Sequence, residues 1–245
     1  MIDANVFIGE SLYENPLSPA ELSRQMDKLK VDGAVVRPLK PVDMDLDKAN
    51  QWIRGIQKDF PRLTAFGRIN PLVPAAEEQT ILAIEEYNLK GIHLHPWEEN
   101  FQINSPKVDA VVAAARGKVP FYISSGFPAV SHPLQVQDLV SRHPDTLFLV
   151  SHGAQQDISG MSFEDALILA EEQENVVFDV SGVYRRDFIE LLYNKAGEDR
   201  LVFGSCTPYM DMSLEINRIS ATHLPESVKE KIFSGNIQRI LPFFY

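Results

Sequence analysis

Two imidazoles one residue apart, His93 and His95, lie in the stretch Gly91-Ile92-His93-Leu94-His95-Pro96. Side chains alternate along a strand, so both rings fall on one face, where they could polarise a carbonyl, move a proton or hold an ion. A third imidazole, His152, follows the apolar run Leu147-Phe148-Leu149-Val150. Titrating near neutrality, it suits a general base, with a structural bond to a neighbouring strand end as the plain alternative. Cys206, the one cysteine of the chain, closes another apolar run. Its thiolate would be a nucleophile, but an inert, buried small hydrophobe is the favoured reading. Together His93, His95, His152 and Cys206 make a candidate site for zinc or manganese, with substrate hydrogen bonding or packing as the competing expectation.

Arg37 and Arg68 end two further apolar runs. A guanidinium forks onto a carboxylate or phosphate, so either could hold a small acidic ligand; salt bridging to the abundant acidic residues is the alternative. Trp97, directly after Pro96, could stack on a planar ligand or cover the mouth of a site. Tyr184, Arg185 and Arg186 are candidates for its rim, and Asp43, Asp45 and Asp157 are loop carboxylates that could serve as replacement ligands or bases.

These residues need a scaffold that brings strand ends together. Apolar, β-rich runs begin near residues 2, 33, 63, 90, 119, 146, 175 and 201, at successive intervals of 31, 30, 27, 29, 27, 29 and 26. Parallel strands need crossover helices, and eight such units close a (β/α)8 barrel, the TIM barrel, whose active site forms at the carboxyl ends of the strands. Runs such as Phe121-Tyr122-Ile123 and Val176-Val177-Phe178 are apolar on both faces, as covered parallel strands are. Ser18-Pro19-Ala20-Glu21 reads as a capping box opening the first helix, with Leu22, Met26 and Leu29 as its buried stripe. A doubly wound open sheet would alternate in the same way, but no Gly-rich phosphate loop follows the first strand. The expectation is one α/β barrel domain over residues 1–245, its apolar tail, Leu241 to Tyr245, sealing a barrel end or a subunit contact.

Lys+Arg 23 against Asp+Glu 34 gives a net charge of −11, which repels phosphate backbones and anionic lipid and argues against nucleic acid as a partner. The chain shows no basic leader and no apolar run of membrane-spanning length, so a cytoplasmic location is expected. A single cysteine excludes an intrachain disulfide and a cysteine-cluster zinc site within one chain.

Taken in order, the strand ends resemble those of the amidohydrolase-related family of metal-dependent hydrolases and decarboxylases. That family's first strand reads Ile-Asp-x-His-x-His-x-Gly, against Ile2-Asp3-Ala4-Asn5-Val6-Phe7-Ile8-Gly9 here. Its fifth ends Pro-x-x-x-His-x-Gly, against Pro120 to Gly126 with Ser124 in the histidine's place. Its eighth reads Phe-Gly-Ser-Asp-x-Pro, against Phe203-Gly204-Ser205-Cys206-Thr207-Pro208. The family's fourth-strand Gly-x-Lys-x-His-Pro, sixth-strand His-Gly, seventh-strand Asp-x-Ser-Gly and closing Gly-Asn-x-x-Arg-x-Leu are matched at Gly91–Pro96, His152-Gly153, Asp179–Gly182 and Gly235–Leu241. The resemblance implies a barrel in which Asn5, Phe7, Ser124 and Cys206 occupy positions that hold a divalent ion in relatives, while His152 is retained as a proton-transfer group. Phe7 cannot ligate, and Asn5 and Ser124 are poor zinc ligands.

The leading expectation is therefore a hydrolase of this superfamily acting on a small, acidic substrate without the usual ion, a mode for which the superfamily holds a lactonase precedent. His152 would be the base, His93 and His95 would orient or polarise the carbonyl, and Arg68 would hold the substrate carboxylate. Arg37, Asn5, Ser124, Cys206 and Trp97 would line the pocket. A non-catalytic ligand-binding barrel and a metal-dependent hydrolase or decarboxylase with the relocated His93/His95/His152 site are the alternatives. An apolar tail and family habit point to a homodimer.

Overall fold

The computed structural model describes residues 1–156, 160, 162–183 and 185–241. Its strands and helices alternate: β1 (Ile2–Ile8), α1 (Pro19–Leu29), β2 (Gly33–Pro38), α2 (Leu46–Ile53), α3 (Ile56–Asp59), β3 (Leu63–Ala65), β4 (Gly67–Arg68), α4 (Ala76–Glu85), β5 (Ile92–Leu94), α5 (Pro96–Glu99), α6 (Pro106–Ala115) and β6 (Phe121–Ile123). The second half continues with α7 (Pro133–Arg142), β7 (Phe148–Val150), α8 (Phe163–Glu172), β8 (Val176–Asp179), α9 (Arg186–Ala196), β9 (Leu201–Val202), α10 (Met212–Ser220), α11 (Glu226–Glu230) and α12 (Asn236–Ile240). Every neighbouring strand pair is parallel.

The eight repeating units of the sequence become eight barrel positions because the third is split. β3 pairs with β2 and β4 with β5, and between them the Phe66 N–H donates to Val36 O at 2.9 Å, which keeps the ladder continuous. Closure comes from the Ala4 N–H to Phe203 O and the Phe7 N–H to Thr207 O, both 2.8 Å. The described strands thus form the TIM barrel expected from the spacing.

Two layers explain why polar groups gather at one end. Val35, Phe66, Tyr122, Leu149 and Val177 point inward as a buried apolar layer, with Ile2 and Ala4 of β1. Ile237 and Leu241 join it from the tail and plug the amino-terminal end of the barrel. The last four residues, Pro242 to Tyr245, lie outside the described residues. Phe66 can fill the middle because residue 91 is glycine: a Cβ there would approach its ring to 2.3 Å. In α1, Ser18 Oγ accepts the Glu21 N–H at 3.1 Å as expected, whereas the Glu21 carboxylate turns to Arg24 and Gln25, leaving the capping box half made.

Candidate functional site

Side-chain alternation carries the inward face one step above the apolar layer. Two residues beyond Val35 is Arg37, beyond Phe66 Arg68, beyond Tyr122 Ser124, and beyond Val177 Asp179. Arg37, Arg68, His93 and Asp179 are each 0% exposed, so this polar layer is shut off from water.

In β1 the register shifts between Asp3 and Val6, which lets Asn5 and Phe7 face inward above Ala4 while Val6 and Ile8 pack against the helices. Asn5 is the hinge of the layer. Its Oδ1 accepts from Arg37 Nη2 at 2.6 Å, and its Nδ2 donates to Asp179 Oδ2 at 2.6 Å and to Ser181 Oγ at 3.0 Å. Tyr122 Oη also donates to Asp179 Oδ2, and the Ser181 N–H donates to Asp179 Oδ1 at 2.7 Å. Glycine at 204 is required for this approach, since a Cβ would stand 2.2 Å from Asp179 Oδ1. Asp3 lies nearby, accepting the N–H groups of Asn5 and Ser205, each at 2.9 Å. Burial raises its carboxyl to about 7.

The structure brings His93 and His95 together as alternation requires, with ring centroids 5.5 Å apart. His93 Nε2 lies 2.9 Å from Ser124 Oγ, and its Nδ1 is buried without a partner. His95 Nδ1 accepts the Glu98 N–H at 3.3 Å, so its proton sits on Nε2, which faces Glu98 Oε1 at 3.6 Å. Burial, then the nearby guanidinium groups, holds both imidazoles well below the usual histidine range, so both are neutral. His152 is held by β7's sharp exit, in the left-handed region at φ 58° and ψ 27°. Its Nδ1 lies 2.9 Å from Ser181 O. A carbonyl can only accept, so Nδ1 carries the proton and Nε2 keeps its lone pair. Burial lowers the His152 pKa as well, against the pull of Asp179.

Arg68, expected to hold a substrate carboxylate, meets two carboxylates of the protein itself. Its Nη2 is bound to Glu98 and, at 2.6 Å, to Glu99, while Nη1 donates to Pro38 O at 3.3 Å. Lys40 adds a second cation 3.6 Å from Glu99, and Tyr209 Oη donates to Glu98 Oε1 at 3.1 Å. Two carboxylates from the short helix α5 thus neutralise Arg68. Trp97, 59% exposed, stacks on Phe127 at 5.4 Å and 9°, and Phe127 in turn lies against His95 at 6.1 Å. Cys206 packs with Phe7 and Leu39, and burial pushes its thiol far above the ordinary range. Asp43 and Asp45 line a cavity of about 500 Å³ between the loops after β1 and β2, where Asp43 pairs with Lys48 at 2.7 Å and Asp45 caps α2. Arg185 pairs with Asp187 on the surface. Asp157, Tyr184 and the side chain of Arg186 lie outside the described residues.

The divalent ion of the metal-bearing family does not fit this donor set. Phe7 offers no lone pair, Asn5 Oδ1 is occupied by Arg37, and Ser124 Oγ by His93. Among the described residues no three His, Cys, Asp or Glu side chains converge as an ion would need, so His93, His95, His152 and Cys206 do not assemble as a relocated set.

Sequence reasoning passed over Tyr122, Glu98 and Glu99. Their signals were present: a tyrosine on the inward parity of its strand, and two acids directly after a strand top that also faces a buried arginine.

Comparison with known proteins gives the same frame. The amidohydrolase family model matches residues 11–243. No curated protein sequence matches the chain. Solved structures share its fold. One is a dihydroxybenzoic acid decarboxylase from Polaromonas sp. JS666 with bound manganese and the inhibitor 2-nitroresorcinol, at TM-score 0.78 and 12% identity over 100% of this chain and 97% of that one. Another is the 5-carboxyvanillate decarboxylase of Sphingomonas paucimobilis, at TM-score 0.74 and 16% identity over 99% and 98%. A third is a Pseudomonas putida protein assigned as a 2-pyrone-4,6-dicarboxylic acid hydrolase, at TM-score 0.75 and 14% identity over 100% and 98%. With the family model spanning nearly its whole length over a closed eight-unit barrel, the chain belongs to the amidohydrolase family.

Proposed function

We propose that this protein is a hydrolase for a small, planar, carboxylate-bearing substrate and works without a divalent ion. The observation that carries the reading is His152: its Nδ1 is fixed on Ser181 O at 2.9 Å, leaving Nε2 as a neutral base at physiological pH. In the proposed reaction His152 Nε2 takes a proton from water as the water oxygen bonds the substrate carbonyl carbon. The same nitrogen returns that proton to the leaving oxygen or nitrogen as the carbonyl–leaving-group bond breaks. His93 and His95, held neutral, orient the carbonyl, and the substrate carboxylate falls to Arg37 because Arg68 is already met by Glu98 and Glu99. Structural relatives named for a dihydroxybenzoic acid, a carboxyvanillate and a pyrone dicarboxylic acid support a planar acid as the substrate class.

The test is turnover of cyclic and aromatic esters, lactones and amides bearing a carboxylate, by wild type and His152→Asn. Loss of turnover in the variant, on the order of 100-fold or more, is expected for removal of a general base; unchanged turnover would remove His152 from the mechanism. The burial of Arg37, His93 and His152 favours a second reading, a barrel that binds such an acid without converting it. Ligand-dependent stabilisation with no turnover of any of these compounds would select it.

A further inference from the structure

Arg37 and Arg68 are both buried with an unpaired Nε, but only Arg68 is paired with carboxylates. Arg37 Nη2 donates to Ala4 O at 3.2 Å and to Asn5 Oδ1 at 2.6 Å, but its Nε and Nη1 are buried with no acceptor. Arg68 has two carboxylates in contact, whereas among the described residues none lies within ion-pair distance of Arg37; the Asn5 carboxamide stands between it and Asp179. Leaving guanidinium donors dry and unpaired costs several kcal/mol in general, and such groups call for an unplaced partner.

The surroundings define that partner. The guanidinium carbon lies 3.5 Å from the centre of the Tyr122 ring and 4.9 Å from that of Phe7, whose edge meets His93 at 5.4 Å. Two of these neighbours, Asn5 and Phe7, stand in the positions where the family sequence pattern has its paired first-strand histidines. One has become a hydrogen-bond acceptor for a guanidinium and the other a flat wall beside it.

We infer that Arg37 is the resident cation of this barrel, taking over the charge that a divalent ion supplies in metal-bearing relatives, and that its unpaired Nε and Nη1 donors bind an oxygen of an anionic planar ligand at the strand tops. The inference rests on the strand tops being the ligand site, as in the function proposed above, but not on His152 or on hydrolysis. An arginine stays protonated throughout the accessible pH range, so this cation, unlike a bound metal, cannot be removed by a chelator.

Benzoate and its neutral isostere benzamide test this by calorimetric titration of EDTA-treated wild type, Arg37→Met, Arg37→Lys and His152→Asn. Benzoate is expected to bind metal-free wild type about 10-fold or more tightly than benzamide, as one charge-assisted hydrogen bond provides. Arg37→Met should lose that preference, Arg37→Lys should keep part of it, and His152→Asn should keep it in full. Should Arg37→Met fail to fold, the wild-type preference and the lysine variant still decide. Equal binding of the two compounds, failure of benzoate to bind, or benzoate binding that requires added zinc or manganese would overturn the inference. Retained preference in a His152→Asn protein that still turns over substrate would overturn the hydrolase mechanism while leaving the Arg37 assignment standing.

Discussion

Arg37 and Asn5 meet at 2.6 Å, Nη2 donating to Oδ1, and through the other end of the same carboxamide the contact reaches Asp179. A buried cation and a buried carboxylate are thereby joined by a neutral amide that accepts from one Arg37 nitrogen and donates to Asp179. Replacing Asn5 by leucine keeps the branched shape and removes all three side-chain hydrogen bonds. We expect a loss of about 3–5 kcal/mol in urea unfolding, the usual result of stranding buried charge; a change below about 1 kcal/mol would mean that the layer relaxes around the loss.

Arg68 is predicted to be structural where Arg37 binds ligand. Arg68→Met strands Glu98 and Glu99 next to a single remaining cation, Lys40, and should also cost about 3–5 kcal/mol. At a temperature where the variant is folded, its benzoate affinity should stay within a few-fold of wild type. A drop as large as that caused by Arg37→Met would return the carboxylate-holding role to Arg68.

Acidification should destabilise the fold through its histidines. His93, His95 and His152 all have folded pKa values below 6.5, so as pH falls through 6.5 the unfolded chain takes up protons that the folded chain refuses, and stability declines. Asp3 acts in the opposite direction. Raised to about 7, it holds a proton in the folded state between pH 7 and 3.8 that the unfolded chain releases, which adds stability as pH falls across that window. Between pH 5 and 6 the three imidazoles outweigh the one carboxyl. Asp3→Asn, which keeps an acceptor for the Asn5 and Ser205 amides, should steepen the decline by about 1.4 kcal/mol per pH unit, one proton's share. An unchanged slope in chemical denaturation across that range would show that Asp3 is already ionised in the folded protein.

The barrel was legible because its spacing and two-sided apolar strands are backbone properties, fixed by the need to cover parallel strands with helices. So was the ring of strand-top residues, since alternation alone assigns Arg37, Arg68, His93 and Asp179 to one face. What the sequence did not disclose is which arginine is paired with carboxylates. Arg37 and Arg68 look alike as residues closing apolar runs, and their difference arises from α5, a single turn that brings Glu98 and Glu99 back over the mouth. The tautomer of His152 was likewise hidden, because it depends on Ser181 O, a backbone atom of a strand end 29 residues away. The split of the third strand at Phe66 had no sequence signal beyond its large aromatic beside Gly67.

Either Arg37 or a divalent ion is the cation of this barrel. Elemental analysis of protein purified without chelator, followed by thermal unfolding with and without added zinc or manganese, distinguishes them most directly. We predict bound metal far below one ion per chain and no metal-dependent rise in the unfolding temperature, because Arg37 already supplies the charge and Asn5 Oδ1 is committed to it. Zinc, manganese or iron at about one ion per chain, with stabilisation on readdition, would contradict this.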